Sequence, residues 1–153
     1  MDEKYMKEAI KLARQAAEEG DVPVGCVIVS SRGDIVGTGR NRRETAKNAV
    51  AHAEIEAIAS ACRSLGTWRL TDCEMYVTLE PCPMCAGAII NSRVGKLYYG
   101  AREENFGSCG SVINLFMERY GYSPQIVGGI LKEESETLLK EFFKDIRRRD
   151  EGK

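Results

Sequence analysis

Residues 75–99 read MYVTLEPCPMCAGAIINSRVGKLYY, and this stretch decides the fold. Met75 to Leu79 is an apolar run that predicts a buried strand, and Pro83 to Asn91 predicts a helix. The helix has proline in its first turn, where the missing N–H costs nothing. Lys96 to Tyr99 predicts the next strand. A strand, a helix and a strand in succession indicate a parallel crossover, so the expected fold class is α/β, with helices covering the sheet.

The segments on either side of this crossover supply the other predicted elements. Before it, the pattern predicts an amphipathic helix ended by Gly20, a hairpin of strands Val24 to Val29 and Ile35 to Thr38, and a helix from Ala51 to Leu65. After it, the pattern predicts a glycine-rich loop from Gly100 to Gly110, a short helix near Val112 to Met117, a weak strand from Gln125 to Val127 and a closing helix from Lys132 to Arg149. No repeat or linker interrupts the sequence, so residues 1–153 are expected to form one domain.

The composition is ordinary for a globular domain. The chain has 153 residues, of which 43% are hydrophobic and 29% are charged, and its formal net charge is -1. The bulk charge therefore does not indicate a nucleic-acid partner. No uninterrupted apolar stretch approaches the roughly 18 residues that cross a bilayer, and the first residues are charged. We therefore expect a cytoplasmic protein without a membrane association.

The six cysteines are expected to be reduced, because disulfide frameworks belong mainly to shorter, secreted chains. Cys26, Cys62 and Cys73 lie in or beside apolar segments, where a free cysteine behaves as a small hydrophobic residue. We predict that these three pack in the core. The remaining three cysteines lie in or near the predicted loops and need a different explanation.

Cys82 and Cys85 are spaced so that both sulfur atoms can reach one metal ion from the first turn of a helix. His52, the only histidine, lies at the start of another predicted helix. Zinc binds imidazole nitrogen and thiolate sulfur, and three protein ligands leave one coordination position open for water. Taken alone, the two cysteines also fit a redox pair or half of a structural zinc site. Cys109 is the one loop cysteine that could be a fourth ligand, although its glycine-rich surroundings favour a tight turn.

Glu54 lies two residues beyond His52, where it can face the open coordination position without displacing a ligand. A carboxylate at that position could act as the general base that takes a proton from water. The alternative is a solvated glutamate favoured by the dipole at a helix start. Beside three metal ligands, the catalytic interpretation is preferred.

These residues match the His-x-Glu and Pro-Cys-x-x-Cys signature of zinc deaminases. Three further stretches, at residues 22–25, 39–41 and 76–80, read VPVG, GRN and YVTLE. Through them, nearly the whole chain resembles the tRNA-specific adenosine deaminases of the cytidine deaminase-like superfamily. The resemblance implies a three-layer α/β/α fold around a mixed five-stranded sheet, zinc as cofactor and a homodimer. It also implies deamination of adenosine to inosine at the wobble position of the tRNA anticodon stem-loop.

The resemblance also implies individual roles. His52, Cys82 and Cys85 would hold zinc, Glu54 would be catalytic, and the substrate would be bound by Asn41, the Ala53 backbone N–H, Val24, Phe106, Phe143 and Arg147. Other readings stay open for four of these: a turn residue for Asn41, a loop anchor packed inward for Phe106, a core residue for Phe143 and a solvated face for Arg147.

Residues 103–106, with two adjacent glutamates, depart from the bacterial pattern, and residues 106–112 resemble instead the catalytic subunit of the eukaryotic heterodimeric tRNA deaminase. Two alternative functions also remain. One is a small-molecule nucleobase or nucleoside deaminase, and the other is a zinc-stabilised binding subunit without activity.

Overall fold

A mixed five-stranded sheet forms the middle of the structure, with strand order β2-β1-β3-β4-β5. The computed structural model describes residues 1–152. Its elements are α1 (Glu3–Glu18), β1 (Gly25–Val29), β2 (Ile35–Arg40), α2 (Ala53–Leu65), β3 (Glu74–Leu79), α3 (Pro83–Ser92), β4 (Lys96–Ala101), a 3₁₀ helix (Leu115–Met117), β5 (Gln125–Val127) and α4 (Lys132–Glu151).

The predicted parallel crossover is confirmed. Strands β3 and β4 pair in parallel, with Met75 opposite Leu97 and Leu79 opposite Ala101, and helix α3 connects them. Strand β5 continues the parallel half, whereas β1 pairs antiparallel with both β2 and β3. The sheet is therefore mixed, and the carboxyl end of β3 leads directly to the cysteine pair.

Helices cover both faces of the sheet, which confirms the α/β/α layering. Successive residues of a strand point to opposite faces, so Cys26 and Ile28 enter one core cluster while Val27 and Val29 enter another. The first cluster includes residues of α2 and α3, and the second includes residues of α1. Leu138 of α4 packs against the second cluster. The three inner strands, β1, β3 and β4, thus contribute to both hydrophobic cores.

Helix α2 lies unusually close to strand β2 because glycines face it. A Cβ atom placed on Gly39 would lie 2.1 Å from the carbonyl oxygen of Ala53, and one on Gly37 would lie 2.4 Å from that of Ala57. The backbone of the first turn of α2 therefore rests directly on the backbone of β2. This contact fixes the residues at the start of α2 against the sheet.

The structure differs from the sequence prediction at two helix starts. Helix α2 begins at Ala53, not Ala51, because His52 has the extended conformation of an N-cap residue. The short helix predicted near Val112 to Met117 is wrong over residues 112–114. There Gly110 N–H donates to the Ile113 carbonyl, and the Asn114 side chain caps a single 3₁₀ turn.

Three cysteines were predicted to lie in the core. Cys26 and Cys73 are buried, as expected, while Cys62 is half-buried at the edge of the core. All six cysteines are free thiols. Within residues 1–152, none of the helices has the length and low charge that a bilayer-spanning segment requires.

The contact between α2 and β2 predicts the effect of adding one methyl group. Gly39→Ala should lower the free energy of unfolding by about 3 kcal/mol, at the upper end of overpacking costs, because backbone atoms must move. Gly87→Ala is the matched control, since a Cβ atom there meets nothing within 4 Å. This control should raise stability by about 0.5–1 kcal/mol, as alanine does in a helix interior. Urea denaturation of both variants measures the difference, and a Gly39→Ala variant as stable as the wild type would contradict the close packing.

Candidate metal centre and active site

Two helix starts meet at the carboxyl end of β3, and each begins with a predicted zinc ligand. His52 is the N-cap of α2 and Cys82 is the N-cap of α3, both with extended backbone conformation. Neither side chain forms a capping hydrogen bond, so both remain available to a ligand. Pro83 occupies the first turn of α3, as predicted, and Cys85 follows within the same turn. The backbone therefore delivers all three side chains to one place.

The three potential ligand atoms form a compact cluster. His52 Nδ1 lies 3.6 Å from the Sγ atom of Cys82 and 3.5 Å from that of Cys85. One donor atom from each of these three residues lies within 4.8 Å of the others, and no other such cluster occurs among residues 1–152. One imidazole nitrogen and two sulfur atoms form the donor set of a catalytic zinc site, in which a fourth position stays open. The residues present therefore fit zinc.

The cluster also favours the ionised ligand that a metal needs. A hydrogen bond from the Cys85 thiol, together with one from His52, lowers the pKa of Cys82 to about 4 despite partial burial. The shared hydrogen bond and burial raise the pKa of Cys85. The hydrogen bond with Cys82 raises the pKa of His52. One thiolate is thus already stabilised within the protein, and the second proton leaves when a metal binds.

Cys109 is not a fourth ligand. It lies outside the cluster of ligand atoms, and its backbone forms an isolated β-bridge with Asn114. Burial raises the pKa of its thiol to about 12, so it stays protonated at neutral pH. The position in a tight loop agrees with the preferred sequence interpretation. The ligand set therefore leaves room for water or substrate.

Glu54 lies in the first turn of α2 and is only 4% exposed. The alternative of a solvated glutamate at a helix start is therefore wrong. Burial raises the pKa of Glu54 to about 7, against the opposing effect of a hydrogen bond from its own backbone N–H. The charge of the nearby Cys82 raises this pKa further, and that of His52 opposes it. A buried carboxyl group with an elevated pKa thus lies beside the ligand cluster.

An open cleft of about 970 Å³ leads to the cluster. His52, Ala53, Glu54 and Cys82 line its floor. Its walls come from four regions: residues 20–24 after α1, residues 41–49 after β2, residues 103–106 after β4 and the carboxyl-terminal half of α4. Several of the predicted substrate-binding residues therefore share one cavity with the ligands, although they come from distant parts of the chain.

Asn41 and Val24 both line this cleft. The Asn41 side chain donates to the Val22 carbonyl at 3.1 Å and accepts from the Arg43 N–H at 3.2 Å, so it also has the turn role considered above. A carboxamide has two N–H donors and two acceptor lone pairs, which leaves one of each for another partner. Its position is fixed by the turn, and its remaining capacity faces the cleft.

Phe106 and Phe143 both line the cleft and are 63% and 45% exposed. The inward-packed alternative for Phe106 and the core alternative for Phe143 are therefore wrong. Leu138 of helix α4 packs on the second core cluster, whereas Phe142, Phe143 and Ile146 belong to neither cluster and line the cleft, so the carboxyl-terminal part of the apolar face is a wall of the cleft. Arg147 is exposed and does not line the cleft, and its role in substrate binding stays a prediction.

Two buried carboxylates at the cleft were missed as site residues. Asp21, 1% exposed, accepts hydrogen bonds from the Glu44 N–H at 2.7 Å and from the N–H and hydroxyl of Thr45. Glu80, 2% exposed, accepts from the loop after β4. These hydrogen bonds outweigh burial and lower the pKa of each carboxyl group. Their partners lie 23 or more residues away, so no local pattern could have identified them.

Comparison with known proteins agrees with this geometry. The family model of the cytidine and deoxycytidylate deaminase zinc-binding region matches residues 1–101, which include all three ligands and Glu54. The chain belongs to this family. The deaminase is therefore a hydrolytic enzyme, and its metal is zinc.

The relatives of the deaminase include RNA-directed and small-molecule enzymes. A tRNA-specific adenosine deaminase of Bacillus subtilis (strain 168) is 48% identical over 149 residues, which cover 97% of this chain and 92% of that protein. A structure from studies of A-to-I editing by tRNA deaminases at the wobble position has a TM-score of 0.85 and 38% identity, covering 89% of this chain and 99% of that one. A guanine deaminase from Nitrosomonas europaea has a TM-score of 0.81 and 27% identity, covering 93% and 84%.

The ligand set predicts which variants of the deaminase lose zinc. The wild type should bind about one zinc ion per chain, and His52→Ala should lose it, because two thiolates alone leave the site incomplete. Cys62→Ser should keep its zinc, since Cys62 lies outside the cluster. Metal analysis of the purified variants by mass spectrometry checks both. Retention of zinc by His52→Ala with loss in Cys109→Ser would contradict the assignment.

Asp21 predicts a pH-dependent contribution to stability. Its pKa in the folded deaminase lies below the ordinary value of 3.8, so its contribution is complete above that value and is lost as the pH falls through the folded pKa. Asp21→Asn should lower the free energy of unfolding by about 1.5–3 kcal/mol at pH 7, the range for hydrogen bonds to a charged group. The difference from wild type should shrink when denaturation is repeated at about pH 3. Exposed Asp34→Asn is the control, and a deficit that does not change with pH would refute this role.

Proposed function

We propose that this deaminase converts adenosine to inosine at the wobble position of a tRNA anticodon. One observation carries the proposal: a three-ligand zinc site and a buried carboxyl group share the floor of a cleft whose walls expose aromatic rings. The resemblance to tRNA-specific adenosine deaminases over 97% of the chain supports the choice of substrate. A cleft of about 970 Å³ is also far larger than a single nucleobase requires.

The reaction replaces the 6-amino group of adenine with oxygen from water. When bound, zinc is the Lewis acid that makes water nucleophilic at neutral pH. Glu54 takes a proton from that water as its oxygen adds to C6, and it delivers the proton to N1 of the ring. Glu54 then passes the second proton of the water to the departing amino group. The C6–N bond breaks, ammonia leaves, and the carbonyl of inosine remains.

Two further groups would orient the base. The N–H of Ala53 lies in the first turn of α2, where helix geometry supplies no carbonyl acceptor, so it can donate to the oxygen that develops at C6. Asn41 retains one N–H and one lone pair for the purine. Val24 lines the same wall and offers an apolar contact. All three lie on backbone segments that the sheet and α2 hold in place.

The cleft walls would bind the nucleotides that flank the target. Phe106 and Phe143 expose rings on two different elements, and a base stacked on an aromatic ring gains about 1–3 kcal/mol. Among nearby basic residues, Arg40 and Arg42 pair with Glu19 and Glu56, whereas Arg43 lines the cleft. Arg43 is thus the first choice for a phosphate contact. Arg147, beyond the cleft, would contact the RNA backbone further out.

We further propose that the chain is a single domain that pairs with a second copy in the cytoplasm. The loop after β4 and the 3₁₀ helix expose three apolar side chains close together in the chain: Val112, Ile113 and Met117. Single exposed apolar residues are common, but a group of them is typical of an interaction surface. A second copy would cover these residues.

A small-molecule deaminase is the second candidate function. The similarity of this fold to a guanine deaminase, with a TM-score of 0.81, favours it. Glu44, Glu103 and the buried carboxyl groups also give the cleft an acidic character that suits a neutral base better than a phosphate. The two functions differ in the substrate that they need, so one assay separates them.

The zinc-loaded deaminase should convert an RNA stem-loop with an ACG anticodon to its inosine form. Glu54→Ala should lower the rate by about 10²–10⁴-fold, the usual contribution of a general acid–base group, while keeping its zinc. Sequencing or nucleoside analysis of the RNA measures inosine, and metal analysis confirms the site. Cys62→Ser serves as the active control. Deamination of free guanine, cytosine or a nucleoside with no change in the RNA would favour the second candidate, and full activity of Glu54→Ala would contradict the mechanism.

A further inference from the structure

Glu80 is a buried carboxylate whose charge is not balanced by an ion pair. It lies between the end of β3 and the ligand Cys82, and it is 2% exposed. The salt bridges found among residues 1–152 do not include it. A buried carboxylate is costly unless hydrogen bonds compensate for the lost water. The identity of its hydrogen-bond donors therefore indicates what the side chain is for.

All four donors to Glu80 come from residues 103–111, which we name the cleft loop. One carboxylate oxygen accepts from the Glu103 N–H at 3.1 Å and from the Ser111 hydroxyl. The other oxygen accepts from the N–H groups of Cys109 at 2.8 Å and Ser111 at 3.2 Å. The two ends of the cleft loop are thus bound to the same side chain, which closes the loop.

The middle of the cleft loop also packs directly on this carboxylate. A Cβ atom on Gly107 would lie 2.5 Å from the carboxyl carbon of Glu80, so only glycine allows the approach. The next residue, Ser108, donates its N–H to the Pro81 carbonyl at 2.9 Å. Pro81 directly precedes the ligand Cys82. The loop and the ligand-bearing turn are therefore joined by both a side chain and a backbone contact.

Phe106, at the tip of the cleft loop, has little packing of its own. It is 63% exposed, so its position follows from the backbone that carries it. Glu103 and Asn105 of the same loop also line the cleft. A change in the loop backbone would therefore move three cleft-lining residues relative to the zinc ligands.

We propose that Glu80 is a positioning residue that fixes the cleft loop, and with it Phe106, at the correct distance from the zinc ligands. The effect on the substrate rests on the proposed function, since it assumes that Phe106 contacts the RNA. Glu80 itself contacts neither the metal nor the reacting atoms in this mechanism. Its contribution is to hold the cleft loop, which forms one wall of the cleft, at a fixed position relative to the zinc ligands.

Glu80→Gln tests this role with a nearly unchanged shape. The amide keeps one acceptor oxygen, but its NH₂ group faces N–H donors that the second oxygen had accepted. Hydrogen exchange of the Cys109 and Ser111 amides should accelerate, because their protecting acceptor is weakened, while zinc content stays constant. For the stem-loop RNA, kcat/KM should fall by about ten- to hundredfold, as expected for a misplaced binding group, mainly through a higher KM. Glu74→Gln, the same change at the opposite end of β3, is the matched control and should alter neither readout.

A double-mutant cycle with Phe106→Ala distinguishes positioning from a general loss of stability. If Glu80 acts by placing Phe106, then Phe106→Ala should cost much less in the Glu80→Gln background than in the wild type. Additive effects on KM, or unchanged exchange at Cys109 and Ser111, would overturn the proposal. Ser111→Ala removes only the hydroxyl donor and should cause smaller changes in hydrogen exchange and in KM. It replaces Glu80→Gln as the test if that variant fails to fold. A wild type that leaves the RNA unchanged would refute the proposed function, and hydrogen exchange would still decide whether Glu80 anchors the loop.

Discussion

The active site depends on the direct packing of helix α2 against strand β2. Gly37 and Gly39 leave no side chain between the two backbones, and a Cβ atom at Gly39 would overlap the carbonyl of Ala53 at 2.1 Å. This contact places His52, the residue before Ala53, at a fixed height above the sheet. The crossover from β3 to α3 places Cys82 in the same way, because the strand ends only three residues earlier. Main-chain packing, which side-chain rotamers cannot alter, therefore fixes the positions from which the metal ligands extend. A site carried by rigid elements in this way keeps its geometry during catalysis.

Three buried carboxyl groups surround the cleft, and their partners give them different chemistry. Asp21 and Glu80 each accept several hydrogen bonds from backbone N–H groups, which lower their pKa despite burial. Glu54 has weaker compensation, and burial raises its pKa to about 7. The first two carboxylates therefore stay ionised and hold loops, whereas the third is able to gain and lose a proton. The number of hydrogen-bond donors around each carboxyl group thus decides whether that group anchors a loop or can take part in proton transfer.

The parts of the fold that follow from local sequence could be predicted, and the parts that follow from distant contacts could not. The β3–α3–β4 crossover and the ligands His52, Cys82 and Cys85 were evident because periodicity and spacing are local properties. The roles of Asp21 and Glu80 were not evident, since their donors lie between 23 and 31 residues away. The helix predicted over residues 112–114 failed because the Asn114 side chain caps a later, shorter turn. Likewise, periodicity located the apolar face of α4 but could not reveal that its carboxyl-terminal part lies outside both core clusters and lines the cleft.

That last difference has a functional consequence. Phe143 of α4 belongs to neither core cluster, stays 45% exposed and forms an edge-to-face pair with Phe142, with ring centres 5.5 Å apart. The pair holds one aromatic wall in place from the helix, while Phe106 supplies another from the cleft loop.

A free nucleobase needs only the floor of the cleft, and these walls would give it no further contact. A nucleotide within RNA must first leave its stacked neighbours, at a cost of a few kcal/mol. Under the proposed function, stacking of the flanking bases on the exposed rings, at about 1–3 kcal/mol each, would offset that cost. We infer that the two walls favour RNA over free bases, since only a polynucleotide both incurs this cost and gains this compensation.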